Sequence, residues 1–207
     1  MFDYQVLLTF FLYSILLALA PGPDNLFVLT HSALKGRMAG MIVTFGLCTG
    51  LIGHTAAVAL GLAVIFKVSP VAYKGLMFCG MAYLLYLAWH AFRASASGKM
   101  AEDNALELQP WKLYCRGIIM NLTNPKVAVF FLAFLPQFTN PAKGSISLQI
   151  MILGVLFILS ALLVFGSISF LAGSLAKWFN KSAGVQRALN IISGLIFIGI
   201  AVKLVIQ

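Results

Sequence analysis

The chain has 207 residues, 61% of them hydrophobic and 9% charged, with a mean hydropathy of +1.00. A water-soluble domain carries roughly a quarter charged residues, so the composition excludes that class and predicts an all-α integral membrane protein. The net charge of +9 is scattered between apolar runs, where Lys and Arg act as topology signals and lipid anchors, so it does not point to nucleic acid.

Six spans follow in chain order, each needing about 20 apolar residues to cross a hydrocarbon core of about 30 Å. The first runs from Tyr4 to Ser32 and is broken at Pro21 to Pro23. It resembles a signal peptide, ending in Ala18-Leu19-Ala20, but its leading segment holds Asp3 and no basic residue. It is therefore expected to be a retained span. The second, Met38 to Phe66, contains no Asp, Glu, Lys or Arg, and the third is Gly75 to Phe92. A polar loop over 93–112 holds Lys99, Glu102, Asp103 and Glu107. The fourth span, Leu113 to Phe138, carries Arg116 near its start and Lys126 in its middle. The fifth lies within Ile146 to Ala176, and the sixth runs from Ala188 to Ile206, with Lys203 close enough to its end to snorkel.

Alternate sides of these spans differ in basic residues. One side collects Lys35, Arg37, Arg93, Lys99, Lys112, Arg116, Lys177, Lys181 and Arg187, and the other Lys67, Lys74, Lys143 and Lys203. The positive-inside rule then predicts both termini outside the cytoplasm and the 93–112 loop within it.

Two polar sites interrupt the apolar runs, Ala20-Pro21-Gly22-Pro23-Asp24-Asn25 and Asn121-Leu122-Thr123-Asn124-Pro125-Lys126. Proline removes a backbone donor and clashes with the preceding turn, so each site predicts a broken transmembrane helix. Irregular backbone is tolerated at that depth only when buried in protein or lining a wet cavity. Pro125 has about twelve residues on each side, roughly 18 Å each way. Pro23 lies about nineteen residues from Tyr4, roughly 28 Å, which is deeper toward the inner side unless a tilted first span brings the two sites level.

The halves resemble one another. Pro23-Asp24 aligns with Pro125-Lys126 at an offset of 102 residues (125 minus 23), and Gly80-Met81-Ala82-Tyr83-Leu84 with Gly194-Leu195-Ile196-Phe197-Ile198 at 114 (194 minus 80). Three spans per half means the second half enters from the opposite side. The expected architecture is one transmembrane domain over 1–207, built as two inverted three-helix repeats (about 1–92 and 113–207). That is a plan of secondary transporters, whose sites lie at the repeat interface on broken helices.

Of five acids, Asp24 alone sits well inside a span. An intramembrane ionisable group is a functional candidate whose partner should be named, and Lys126 is the obvious partner. The two could form a static ion pair pinning the broken helices. Alternatively, opened slightly, they match a zwitterion, with Asp24 meeting an α-ammonium and Lys126 an α-carboxylate. The helix N-terminus after Pro125 would add backbone donors. Asn25, Asn121 and Asn124 flank the breaks, and their amides suit either loosened backbone or substrate. His54 is a candidate proton relay or a hydrogen-bonded interface histidine. Gly46, Gly50, Gly53 and Gly61 are expected to allow close helix packing. Cys48, Cys79 and Cys115 stand singly and are expected to be buried packing residues. Tyr83, Tyr86 and Trp89 could line a pathway, but packing or interfacial aromatics are the default reading.

There is no nucleotide-binding Gly-rich loop, His/Cys metal cluster or nucleophile–base motif. The expectation is therefore a protein without cofactor, resident metal or enzymatic activity, drawing on a gradient or a partner.

At this point the sequence resembles the LysE/RhtB family of bacterial amino-acid exporters. The resemblance is carried by Ala20 to Asn25, Gly50-Leu51-Ile52-Gly53-His54, Leu60-Gly61-Leu62, Tyr83-Leu84-Leu85-Tyr86-Leu87 ending in Arg93, and Arg116-Gly117 through Asn124-Pro125-Lys126 to Leu135-Pro136-Gln137-Phe138. It implies a six-span inner-membrane permease that exports amino acids or close derivatives, driven by protons. It carries a functional role onto Pro21, Gly22, Pro23, Asp24, Asn124, Pro125 and Lys126. With no second buried acid to meet a cationic side chain, neutral substrates such as homoserine, threonine or leucine are favoured. The expected partners are substrate, protons and lipid, with a homo-oligomer compatible. The rival classes are a divalent-cation exporter, a thiol-electron carrier and a non-transport membrane scaffold.

Overall fold

The computed structural model describes residues 2–68, 70–94, 109–181 and 183–206. Most of the polar loop, including Lys99, Glu102, Asp103 and Glu107, lies outside the described residues, as do the side chains of Lys67, Lys177 and Lys181.

Among the described residues the chain is almost wholly helical and forms no strand. In order it forms α1 (Tyr4–Leu19), α2 (Pro23–Lys35), α3 (Arg37–Val68), α4 (Pro70–Arg93), α5 (Pro110–Leu122) and α6 (Pro125–Val129). A π-helical stretch at Phe130–Phe134, 3-10 turns at Leu135–Phe138 and Pro141–Lys143, α7 (Ile146–Lys181) and α8 (Ala183–Ile206) complete it. Four helices contain segments long and apolar enough to cross a bilayer alone, at Arg37–Gly61, Lys74–Arg93, Ile146–Ala172 and Gly184–Val205. The pair α1 and α2 is bent by 63°, and the segment from α5 through Phe138 is bent by 49°. Counting each bent pair as one broken span gives six.

Side chains such as Leu12, Leu16, Phe45, Ile52, Leu159 and Leu195 face outward. A soluble protein would bury them; on a helix that is apolar all round they are lipid-facing. Inside, hydroxyls bond back to their own helix, as Ser14 does to the Phe10 carbonyl and Thr55 to that of Leu51. The polar atoms are thereby satisfied without separating neighbouring helices.

Helix α3 lies against α2, α5 and α7, while α4 packs on α8. The crossing of α3 and α5 is made by bare backbone. A Cβ on Gly117 would stand 2.6 Å from the Val43 carbonyl oxygen, and one on Gly46 2.2 Å from that of Tyr114. Gly50 and Gly53 face Asn121 and Leu122 of α5 in the same way. Gly61 meets nothing within 4 Å, which corrects the expectation of a packing role there, because α3 has by then run past α5. Cys48 is buried but Cys79 is exposed, so the cysteines are not uniformly packing residues. Trp89 and Tyr86 are also outward, and Trp89 lies beneath the Arg93 guanidinium at 4.2 Å.

The π-helical turns lie immediately before Pro136. Its ring crowds the carbonyl four residues back and supplies no N–H, so the ladder widens there. The outcome is a sleeve of rings. Phe10, Phe130 and Phe134 are fully buried, with Phe130 4.9 Å from Phe134 and Phe138 5.2 Å from Phe10.

Candidate functional site

Each break follows from local chain geometry. A residue preceding proline is driven out of the α region, and Ala20 and Gly22 each precede one. Ala20 is accordingly extended (φ −57°, ψ 118°), as is Gly22 (φ −165°, ψ −179°), so α1 must stop before α2 begins. In the other half Asn124 precedes Pro125 and is extended (φ −75°, ψ 107°), ending α5.

A broken helix leaves its last carbonyls without partners, and here side chains supply them. Lys126 Nζ donates to the carbonyls of Ala20 at 2.9 Å and Leu17 at 3.3 Å. Asn25 Nδ2 donates to Ala18 at 2.7 Å. The cation thus stands at the negative end of α1, where the helix dipole favours it. Asp24 stands in the first turn of α2, where the same effect favours an anion. Its Oδ2 accepts from Asn124 Nδ2 at 2.8 Å.

The bracing is reciprocal. An amide at the second break holds the acid of the first, and the ammonium of the second holds the open backbone of the first. All the members are buried: Asp24 and Asn121 are 1% exposed, Asn124 3% and Lys126 7%. Among the described residues, the ion pair within 4.0 Å is Asp3 with Lys143. Asp24 and Lys126 share a cluster without forming an ion pair within 4.0 Å, so of the two alternatives the static direct pair is not the one present. The lysine stem instead carries its ammonium to the Ala20 and Leu17 carbonyls.

The two breaks also come level with one another, the alternative that a tilted first span left open. The first break opens at Ala20 rather than Pro23, and the 63° bend carries α2 off the axis of α1, so the two breaks meet. The donors after Pro125 are occupied as well. Lys126 N–H is capped by Asn124 Oδ1 at 3.0 Å, and those of Val127 and Ala128 bond to the Asn124 carbonyl.

His54 Nε2 lies 3.1 Å from the carbonyl oxygen of Asn121. A carbonyl only accepts, so that nitrogen carries the hydrogen. The same carbonyl receives Asn124 N–H at 3.1 Å. Gly50 allows this approach, since a Cβ there would meet the Asn121 side chain at 2.7 Å. Pro23 and Pro125 are exposed and Pro21 half-buried. The prolines shape the junction, while the polar side chains fill it. Three acceptors in it are buried without a protein partner: Asp24 Oδ1, Asn25 Oδ1 and Asn121 Oδ1.

Beside the first break lies an apolar cavity of about 440 Å³, lined by Leu26, Leu29, Val164, Ile168, Leu171 and Leu189, with Pro21 and Asn25 at its edge.

Residues 15–207 match the family model described as LysE type translocator. The chain belongs to the LysE translocator family. Relatives of this LysE translocator include an uncharacterized membrane protein of Pseudomonas aeruginosa, 31% identical over 95% of this chain and 93% of the relative. The homoserine/homoserine lactone efflux protein of Salmonella typhi is 34% identical over 91% of this chain and 90% of the relative. An uncharacterized membrane protein of Bacillus subtilis is 28% identical over 95% of this chain and 97% of the relative. No solved structure is a significant match. The family makes this chain a multi-pass membrane translocator.

Sequence reasoning missed several parts of this LysE translocator's junction. The carbonyls of Leu17, Ala18 and Ala20 went unnoticed, although a helix ending at Pro21 must leave them open. The role of Gly22 was not specified either. A Cβ on it would stand 3.2 Å from Lys126 Nζ, so its lack of a side chain admits the ammonium.

Proposed function

We propose that this chain exports neutral amino acids or close derivatives across the bacterial inner membrane, driven by the proton motive force, with both termini outside. The carrying observation is that two opposite charges share one buried cluster, each held by neutral groups of the other break rather than by the other charge. Each of these bonds has a charged group on one side only, whereas an ammonium on Asp24 and a carboxylate on Lys126 would put opposite charges on both sides and add Coulombic attraction. A zwitterion therefore offers each group a better partner than it has. The substrate ammonium would take the place of the Asn124 amide at Asp24, where Oδ1 is already without a partner. The substrate carboxylate would draw Lys126 off the α1 carbonyls.

Such an exchange couples binding to movement. Releasing Leu17 and Ala20 frees the end of α1 at its hinge, so substrate binds the two arrangements with different affinity, as a population shift requires. The similarity to a homoserine/homoserine lactone efflux protein supports a small neutral substrate. So does the apolar cavity at the break, which offers a side chain room without a counter-charge. Hard cations want several oxygen ligands, and one carboxylate beside an ammonium serves them poorly. In this reading the two breaks are equivalent parts of inverted repeats.

The test is counterflow of radiolabelled amino acids in proteoliposomes, over a panel of neutral and basic substrates, with and without an imposed pH gradient. Saturable, gradient-dependent movement of a neutral amino acid, lost in Asp24→Asn and Lys126→Gln at unchanged protein level, is the expected result. No movement of any amino acid by a folded preparation would overturn the reading.

A further inference from the structure

A second polar cavity, of about 340 Å³, lies at the end of the bundle that carries the N-terminus. Its wall includes Asp3, Gln137, Lys143 and Lys203, and its floor is Phe138. The volume sits at the low end of the roughly 300–1,000 Å³ of small-molecule pockets, which suits a single amino acid.

The wall is built rather than incidental. Gln149 is 1% exposed and makes three hydrogen bonds to the turn bearing Lys143: to the Asn140 N–H and carbonyl, each at 2.9 Å, and to the Gly144 carbonyl at 3.1 Å. That turn is thus fixed on α7. Lys143 then pairs with Asp3, whose backbone carbonyl accepts the first N–H groups of α1. Within the wall the Gln137 amide is anomalous. Both its Oε1 and its Nε2 are buried with no protein partner. An amide has acceptor and donor capacity to satisfy, and leaving it unmet costs free energy.

The cavity is also in line with the central junction. Residues 126–138 form one continuous helical segment running from Lys126 through the Phe130 and Phe134 rings to Gln137 and Phe138. Gln137 lies eleven positions after Lys126, about 16 Å at helical rise.

We propose that this cavity is a second amino-acid subsite, a vestibule in which Asp3 receives the ammonium, Lys143 or Lys203 the carboxylate, and the Gln137 amide an end of the same zwitterion. The inference rests on the export reading and adds a site to it. Substrate there competes with the Asp3–Lys143 pair much as it competes with Asn124 and the α1 carbonyls at the centre. The aromatic sleeve separates the two sites.

Gln137→Leu is the decisive variant. Its amide has no protein partner to lose, so an apolar isostere should fold at least as stably as the native chain. Counterflow of labelled threonine, with its concentration varied on the side of the termini, should show KM raised about tenfold, one hydrogen-bonded contact's worth, with kcat little changed. Asp3→Asn and Lys143→Gln should raise KM similarly. Should all three keep the native KM, the cavity holds only water and the proposal is overturned, while transport by the native protein still supports the central site. A native protein that moves no amino acid removes the export reading, and the vestibule with it. Melting in detergent, measured alongside, identifies any variant that failed to fold, and Gln137→Leu then decides.

Discussion

The side-chain amide of Asn124 donates to the Asp24 carboxylate at 2.8 Å, joining positions one hundred residues apart. In the opposite sense, Lys126 crosses to the Ala20 carbonyl at 2.9 Å. Each broken helix is therefore completed by the other. Neither half can rearrange at its break without releasing a group of its partner, which is the mechanical coupling an alternating mechanism needs.

This arrangement makes a charge exchange informative. A direct ion pair would tolerate Asp24→Lys combined with Lys126→Asp, since attraction survives the swap. Here a carboxylate at position 126 would face the carbonyl oxygens of Leu17 and Ala20, acceptor against acceptor. The exchanged protein should therefore transport no better than either single variant. Each single removal should cost about 1–3 kcal/mol of stability for the buried groups left unpaired. Recovery of counterflow in the double variant would show that the two charges act as a simple pair.

How much of this was legible follows from what is local. The breaks could be read because an X-Pro step constrains the residue before it whatever surrounds it, as at Ala20, Gly22 and Asn124. The spans could be read because lipid imposes a length. The target of Lys126 could not, since a flexible stem chooses among acceptors that only the packed helices bring near. The relative level of the two breaks stayed open because a 63° bend is invisible to residue counting. Gly61 misled because small-residue spacing says nothing of where a partner helix ends. Gln137 drew attention only as part of a family segment, because nothing in its neighbours signals that its amide is left without a partner.

The glycines should separate stability from transport. Gly117→Ala places a methyl 2.6 Å from the Val43 carbonyl, which is backbone and yields only if α3 and α5 part. Overpacking of this kind costs about 1–3 kcal/mol. Gly22→Ala meets instead the tip of Lys126 at 3.2 Å, which gives way easily. Its melting temperature should fall less than that of Gly117→Ala while counterflow falls, because the ammonium is shifted by a few tenths of an ångström against its acceptors rather than removed from them. Gly61→Ala, with open space around it, should leave both measurements unchanged. Native transport in a well-expressed Gly22→Ala variant would separate Lys126 placement from function.

His54 offers a choice between relay and brace. Its hydrogen bond to Asn121 shares a carbonyl that already holds Asn124 N–H, so losing it should cost about 1 kcal/mol. As a brace, His54→Leu lowers gradient-driven export and gradient-free exchange by the same factor, and His54→Gln, which keeps a donor, recovers much of both. A relay predicts another pattern, in which His54→Leu loses gradient-driven export alone and retains exchange. The ratio of the two rates is the measurement, and the brace expects it unchanged.

At the vestibule, Lys143 holds the Asp3 carboxyl below the ordinary aspartate range, first by a direct side-chain hydrogen bond and then by its charge. A depressed folded value means the contribution to stability is complete above the unfolded value, about 3.9. It is lost as pH falls through the lowered folded value. Between pH 5 and 8 the pair should therefore be constant. The melting difference between native protein and Asp3→Asn should be flat over that window and vanish only in stronger acid. Both side chains are substantially exposed, so the difference should be small and should shrink further with added salt. Any pH dependence of transport between 5 and 8 then arises elsewhere than at Asp3. A vestibule KM that tracked pH in this window in the native protein but not in Asp3→Asn would contradict that assignment.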